Sequence, residues 1–216
     1  MGKNWDWSLV LGERYDVPAR EIYAVLARWK NSGFQKVLDL GCGKGRHALL
    51  FSREGFEVTA LDISEDIVKT LKEKNDEEKL NIKTVRGDMV DLPFEDNSFD
   101  ALIAYNVISH TDSVGIQKII RELKRVVHPG GEMFLTFCSK ESEHFKNPLF
   151  RIDENTIIKN VQGPEEGVPH YYSDKDSLER LLEDVEIMDM VHLRDYIHNG
   201  EIMKDCFHYF VLCRKP

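Results

Sequence analysis

The chain has 216 residues, enough for one domain with a full core, and carries 38 acidic against 29 basic side chains for a formal charge of −9. A surface of that sign offers no electrostatic footprint for nucleic acid or an anionic membrane, although a local basic groove is compatible with it. No stretch approaches a membrane span, the opening MGKNWDWSLVLGERYD lacks the apolar region of a secretory signal, and the four cysteines form no C-x-x-C pair. Scattered thiols at Cys42, Cys138, Cys206 and Cys213 argue for a reducing cytoplasm and against a structural zinc or other resident metal. The expectation is one cytoplasmic domain over 1–216, a monomer or homodimer, with no membrane contact.

Residues 1–17 hold Trp5, Trp7 and Tyr15 with little periodicity, a segment that packs down either simply against the domain or over a ligand cleft. Pro18 opens a helix whose buried stripe is Ile22, Val25, Leu26 and Trp29, and Gly33 ends it. Lys36 to Ser64 then reads as strand, glycine turn, helix and strand. Val37, Leu38 and Leu40 form a strand covered on both faces, Gly41, Gly43 and Gly45 follow at once, and Ala48, Leu49 and Phe51 begin a helix closed by Gly55. Val58 to Leu61 is the second strand, with Asp62 at its end, the spacing at which a carboxylate reaches a bound ribose.

Two details separate this turn from a dinucleotide fingerprint, G-x-G-x-x-G. In Gly41-Cys42-Gly43-Lys44-Gly45-Arg46 the third glycine falls one residue early, and Asp39 ahead of the turn is a poor neighbour for a pyrophosphate but a good one for a cation. S-adenosylmethionine suits the arrangement, because it has no phosphate but has an α-ammonium, a carboxylate, a sulfonium and a ribose diol. Asp39 would take the ammonium. The turn at Gly41, Cys42, Gly43 and Gly45 would approach the methionine portion, and Asp62 with Ile63 would meet the sugar.

Ser64 is a natural N-cap for the next helix, and the charged run Lys72–Lys79 reads as a solvated helix end. Ile82 to Arg86 is the third strand, closed by Gly87-Asp88-Met89. Ala101 to Tyr105 is the fourth, emptying into Asn106-Val107-Ile108-Ser109-His110. Ligands of open parallel sheets sit beyond the carboxyl ends of the strands, so Asn106, Val107 and His110 belong near the methyl donor. A helix with Ile116, Ile119, Ile120, Leu123, Val126 and Val127 leads through His128-Pro129-Gly130-Gly131 to a fifth strand, Glu132 to Cys138. Residues 139–172 are rich in proline and glycine and read as an irregular insertion overhanging the cleft, where an acceptor must enter. Ser173-x-x-Asp176 is expected to cap a helix bearing Leu178, Leu181 and Leu182. Two strands, Val185 to Arg194 and Cys206 to Arg214, close the chain around a hairpin signal at Asn199-Gly200.

Asp39, Gly41, Gly43 and Gly45 reproduce the D-x-G-x-G-x-G core of motif I, and the chain resembles the class I S-adenosylmethionine-dependent methyltransferases. Leu92-Pro93-Phe94 with Ser98-Phe99-Asp100, and Leu123 to Gly131, resemble further stretches of the same class. PHYYS and HYFVLCRKP resemble small stand-alone enzymes related to the tellurite-resistance methyltransferases. The resemblance implies an α/β, Rossmann-like open sheet of seven strands, mostly parallel with an antiparallel C-terminal strand and helices on both faces. It divides the domain into an N-terminal segment and helix (1–34), a cofactor core (35–138), an acceptor-side insertion (139–172) and a C-terminal helix and strand pair (173–216). It implies that Asp88 accepts from the adenine amine while Met89 packs on the ring. It also implies methyl transfer to a small-molecule acceptor, with His110, His170 and Tyr171 as acceptor-side candidates, Tyr171 or Tyr172 serving equally as a pocket wall. A donor-binding module without turnover, a protein or RNA methyltransferase and a nicotinamide oxidoreductase stay open, the last disfavoured by the glycine spacing. No Asn-Pro-Pro-Tyr follows strand four, and no basic appended domain is present.

Overall fold

The computed structural model describes residues 5–10, 15–194, 197–198, 201–202 and 206–216. Helix α1 (Arg20–Asn31) precedes β1 (Lys36–Leu40), α2 (Arg46–Arg53), β2 (Glu57–Asp62), α3 (Glu65–Glu78) and β3 (Ile82–Arg86). After these come β4 (Phe99–Ala104), α4 (Ser113–Val126) and β5 (Val127–Ser139). The remainder is α5 (Glu143–Lys146), β6 (Phe150–Arg151), β7 (Thr156–Ile158), β8 (Pro169–Ser173), α6 (Lys175–Leu181), β9 (Glu186–Leu193), β10 (Ile197–His198), β11 (Glu201–Ile202) and β12 (His208–Arg214).

Strands β3-β2-β1-β4-β5 run parallel, β12 pairs antiparallel with β5, and β9 pairs antiparallel with β12. These seven are the expected frame, but the sheet has ten strands. Residues 139–172 are not the irregular insertion that their prolines and glycines imply, since β6, β7 and β8 form inside them and extend the sheet. The excursion leaves β5 and returns to it: Ser139 pairs with Ser173, and the Lys140 N–H donates to the Ser173 carbonyl at 2.9 Å. β10 and β11 pair antiparallel, and the Asn199-Gly200 turn lies outside the described residues.

Side-chain alternation along the parallel strands builds two cores. Leu38, Leu40, Leu102 and Ala104 face α4 and α6, whereas Val37, Ala101 and Ile103 face α1, α2 and Leu71 of α3. Glu132 is the charge buried at the edge of the second core, 1% exposed. Its carboxylate accepts from Arg28 at 2.7 and 2.8 Å, from Arg214 at 3.0 Å and from the Trp29 indole at 3.0 Å. Burial raises the Glu132 pKa, but the two guanidiniums outweigh it and hold the carboxyl below its ordinary value.

The caps fix where helices begin. Ser64 accepts from the Ile67 N–H as expected, and Asp112 accepts from Val114 and Gly115. α6 is capped one residue later than Ser173: Asp174 accepts from the Ser177 N–H and the Ser177 hydroxyl takes the Asp174 N–H, a reciprocal capping box. Among the described residues no helix is long and apolar enough to cross a membrane.

Candidate active site

The parallel strands end at a cleft of about 460 Å³, between β1 and β4 where the strand order reverses. The turn after β1 forms one wall. Gly41 and Gly43 have φ of +62° and +53°, conformations that side chains resist, and both approaches are close. A Cβ on Gly41 would collide with Val107, and one on Gly43 would come 2.5 Å from the Trp7 ring. Gly45 differs: it is the N-cap of α2, its added Cβ would strike Leu71, and it does not line the cleft. Gly45 packs closely where α2 meets α3.

Two buried carboxylates stand against this turn. One oxygen of Asp39 accepts from the Ala48 N–H at 3.0 Å; burial pushes the carboxyl up to about 7, opposed by that bond and by Arg46. Asp62 accepts from the Gly43 N–H on one oxygen and the Ser64 N–H on the other, both at 3.0 Å, and burial raises it too. Each oxygen keeps a lone pair for a ligand. Cys42, between them, is pushed well above the ordinary thiol value by burial and by both acids, so it is a neutral wall. Ile63, Asp88 and Met89 also line the cleft, the Asp88 carboxylate accepting from the Val90 N–H at 3.1 Å.

Asn106 and Val107 line the β4 side as expected. Asn106 has φ of +54°, and its N–H and side-chain oxygen both bond the Thr136 hydroxyl. Sequence reasoning missed two neighbours. Arg46, in the first turn of α2, donates to the Val17 carbonyl and lies 5.3 Å from the centre of the Tyr105 ring. His47 accepts from the Ala19 N–H at 3.3 Å and meets Tyr105 edge-on. Placement immediately after the glycine turn is the signal that could have found both, because the first turn of that helix must face the ligand.

The N-terminal aromatics cover the cleft. Trp5, Trp7 and Tyr15 all line it, Trp5 stacks on His110 with ring centres 5.4 Å apart, and the Asp6 N–H reaches the Pro164 carbonyl at 3.1 Å. His110 faces the cleft, and burial pushes its pKa down to about 4, leaving a neutral imidazole at pH 7. His170 touches the His110 ring edge-to-face at 4.8 Å but does not line the cleft. Tyr171, the third acceptor-side candidate, lies away from the cleft lining. Consecutive strand residues face opposite sides, so Tyr171 points into the core with Leu178 and Leu182 and borders a separate cavity of about 410 Å³ beside α4 and α6. Tyr172 is likewise buried, against Phe145.

Residues 37–131 match the family model described as a methyltransferase domain. A demethylmenaquinone methyltransferase of Staphylococcus aureus is 38% identical over 112 residues, covering 50% of this chain and 44% of the relative. The probable S-adenosyl-L-methionine-dependent methyltransferase TehB of Haemophilus influenzae is 34% identical over 96 residues, 44% of this chain and 33% of the relative. The chain thus spans less than half the length of these curated relatives. A crystal structure of a SAM-dependent methyltransferase from Methanosarcina mazei superposes with a TM-score of 0.74 at 20% identity, covering 92% of this chain and 98% of the other.

Proposed function

We propose that the chain is a class I S-adenosylmethionine-dependent methyltransferase that transfers a methyl group to a small-molecule acceptor, a reading supported by its likeness to the methyltransferase-domain model over residues 37–131 and to TehB. The observation that carries this reading is the pair of buried acids, Asp39 and Asp62, flanking a glycine-rich turn at the strand-order switch. Those residues fit the donor, because a cation and a sugar diol both seek anionic acceptors, while a phosphate would be repelled. When bound, the donor supplies an electrophilic methyl carbon on a sulfonium.

Each protein group has a defined task. Asp62 accepts from the ribose hydroxyls and Asp39 from the ammonium, with Arg46 placed for the carboxylate. Ile63, Asp88 and Met89 form the adenine end, and Gly41, Gly43, Asn106 and Val107 leave room beside the methionine portion. Trp5 and Trp7 exclude water, which keeps reacting groups in line and protects the donor. His110, neutral and facing the cleft, lines its acceptor end. The same reading treats 1–216 as one cytoplasmic domain acting as monomer or homodimer.

The test is a calorimetric titration with S-adenosylhomocysteine, alongside mass spectrometry of methylated products across an acceptor panel. Asp62→Ala should weaken binding by at least about tenfold, the loss of charge-assisted hydrogen bonds, with the circular-dichroism spectrum of the folded chain retained. Parental affinity in the folded variant sinks the assignment. Binding without any methylated product would leave a donor-binding module.

A further inference from the structure

His110 after β4 meets Glu165, between β7 and β8, and His170 on β8, and of the three only His110 lines the cleft. One ligand atom from each lies within 4.8 Å of the other two. His170 is fully buried, and its Nδ1 sits 2.8 Å from the Val168 carbonyl. A carbonyl only accepts, so Nδ1 carries the proton and Nε2 is left as a bare lone pair. That Nε2 is buried with no hydrogen-bond partner, 3.7 Å from Oε2 of Glu165. Two acceptors facing each other across such a gap repel unless a cation stands between them. The same Oε2 also accepts from the Lys159 ammonium at 2.7 Å.

We propose that His110, Glu165 and His170 bind a divalent transition-metal ion at the acceptor end of the cleft. Two imidazoles and one carboxylate suit zinc, cobalt or nickel and not magnesium or calcium, which take mostly oxygen ligands. An imidazole anchored through its other N–H to a backbone carbonyl is oriented as metal-binding histidines are. Bonds of about 2.0–2.2 Å require the three donors to draw together slightly; His110, half-buried on a turn, is the side chain that closes the gap. Lys159 sets the chemistry of what completes the site. Its charge cancels that of Glu165, so the ion brings an uncompensated double positive charge. The open position therefore calls for an anionic oxygen, and His110 joins the site to the cleft. The acceptor assigned to it bears an ionised carboxylate, enolate or phenolate oxygen. That assignment rests on the methyl-transfer reading; the ion site does not.

The experiment uses the full chain, freed of metal with chelator and titrated with cobalt(II) chloride, then with zinc chloride. Expected are visible cobalt bands at one equivalent per chain, removed by zinc. Glu165→Gln and His170→Ala should each weaken cobalt binding by at least about tenfold. Lys159→Met should tighten it, an outcome that general disruption would not produce. S-adenosylhomocysteine affinity, measured on the same variants, should stay within about twofold of the parent, which shows the fold is kept and separates this test from that of the donor site. Absent bands in the parent overturn the proposal, as do variants that bind cobalt equally well, a Lys159→Met chain that binds it less, or near-ultraviolet thiolate bands that survive His170→Ala.

Discussion

Asp39→Asn should stabilise the protein and at the same time weaken donor binding. Asp39 is 3% exposed, and burial carries its carboxyl from an ordinary 3.8 to about 7. A gap of about 3 pH units is on the order of 4 kcal/mol. The sign follows from which state holds the proton. Between about pH 4 and 7 the folded chain keeps it while the unfolded chain has released it, so stability is full below that window, falls across it and is flat above. Asparagine keeps an oxygen for the Ala48 N–H and removes the charge. The variant should therefore gain on the order of 1–2 kcal/mol at pH 5 and about 4 kcal/mol at pH 8, about 10 °C in melting temperature for a chain of this size. Thermal unfolding at the two pH values reads the first effect, and titration with S-adenosylhomocysteine at pH 8 reads the second, a loss of at least about tenfold. An equal gain at both pH values, or a loss at pH 8, would refute the claim that this acid is held ionised against its burial.

Gly43→Ala places a Cβ 2.5 Å from the Trp7 ring on a backbone with φ of +53°. It should lose about 1–2 kcal/mol and bind S-adenosylhomocysteine at least about tenfold more weakly. Gly130→Ala, at φ of +82° with nothing within 4 Å, should share the stability loss and keep the affinity; parallel behaviour of the two would remove Trp7 from the cleft. Glu132→Gln leaves Arg28 and Arg214 without their carboxylate. Urea unfolding should report a loss of about 2–4 kcal/mol, toward the lower end because both arginines reach solvent, and parental stability would contradict it.

Lys36 to Ser64 was legible almost to the residue, because a doubly covered strand, a glycine turn and a terminal acid leave few alternatives. Within it, however, three glycines look alike in sequence, and only the neighbours of Gly45 show that it serves packing between helices. β6, β7 and β8 span two to five residues each, too short to show a period among prolines and glycines. Missing β8 also misplaced Tyr171, since the alternation that turns it from His170 applies only once the segment is a strand. Lys159 and Glu165 join His110 through folding alone, and nothing in their local surroundings points across that distance.

The return of residue 173 to the strand that residue 139 left has a consequence for descent. A segment whose two ends are neighbours in one ladder can be replaced by another of different length without disturbing either flank. Changes confined to that segment would therefore leave the cleft walls built from β1, β2 and β4 where they are.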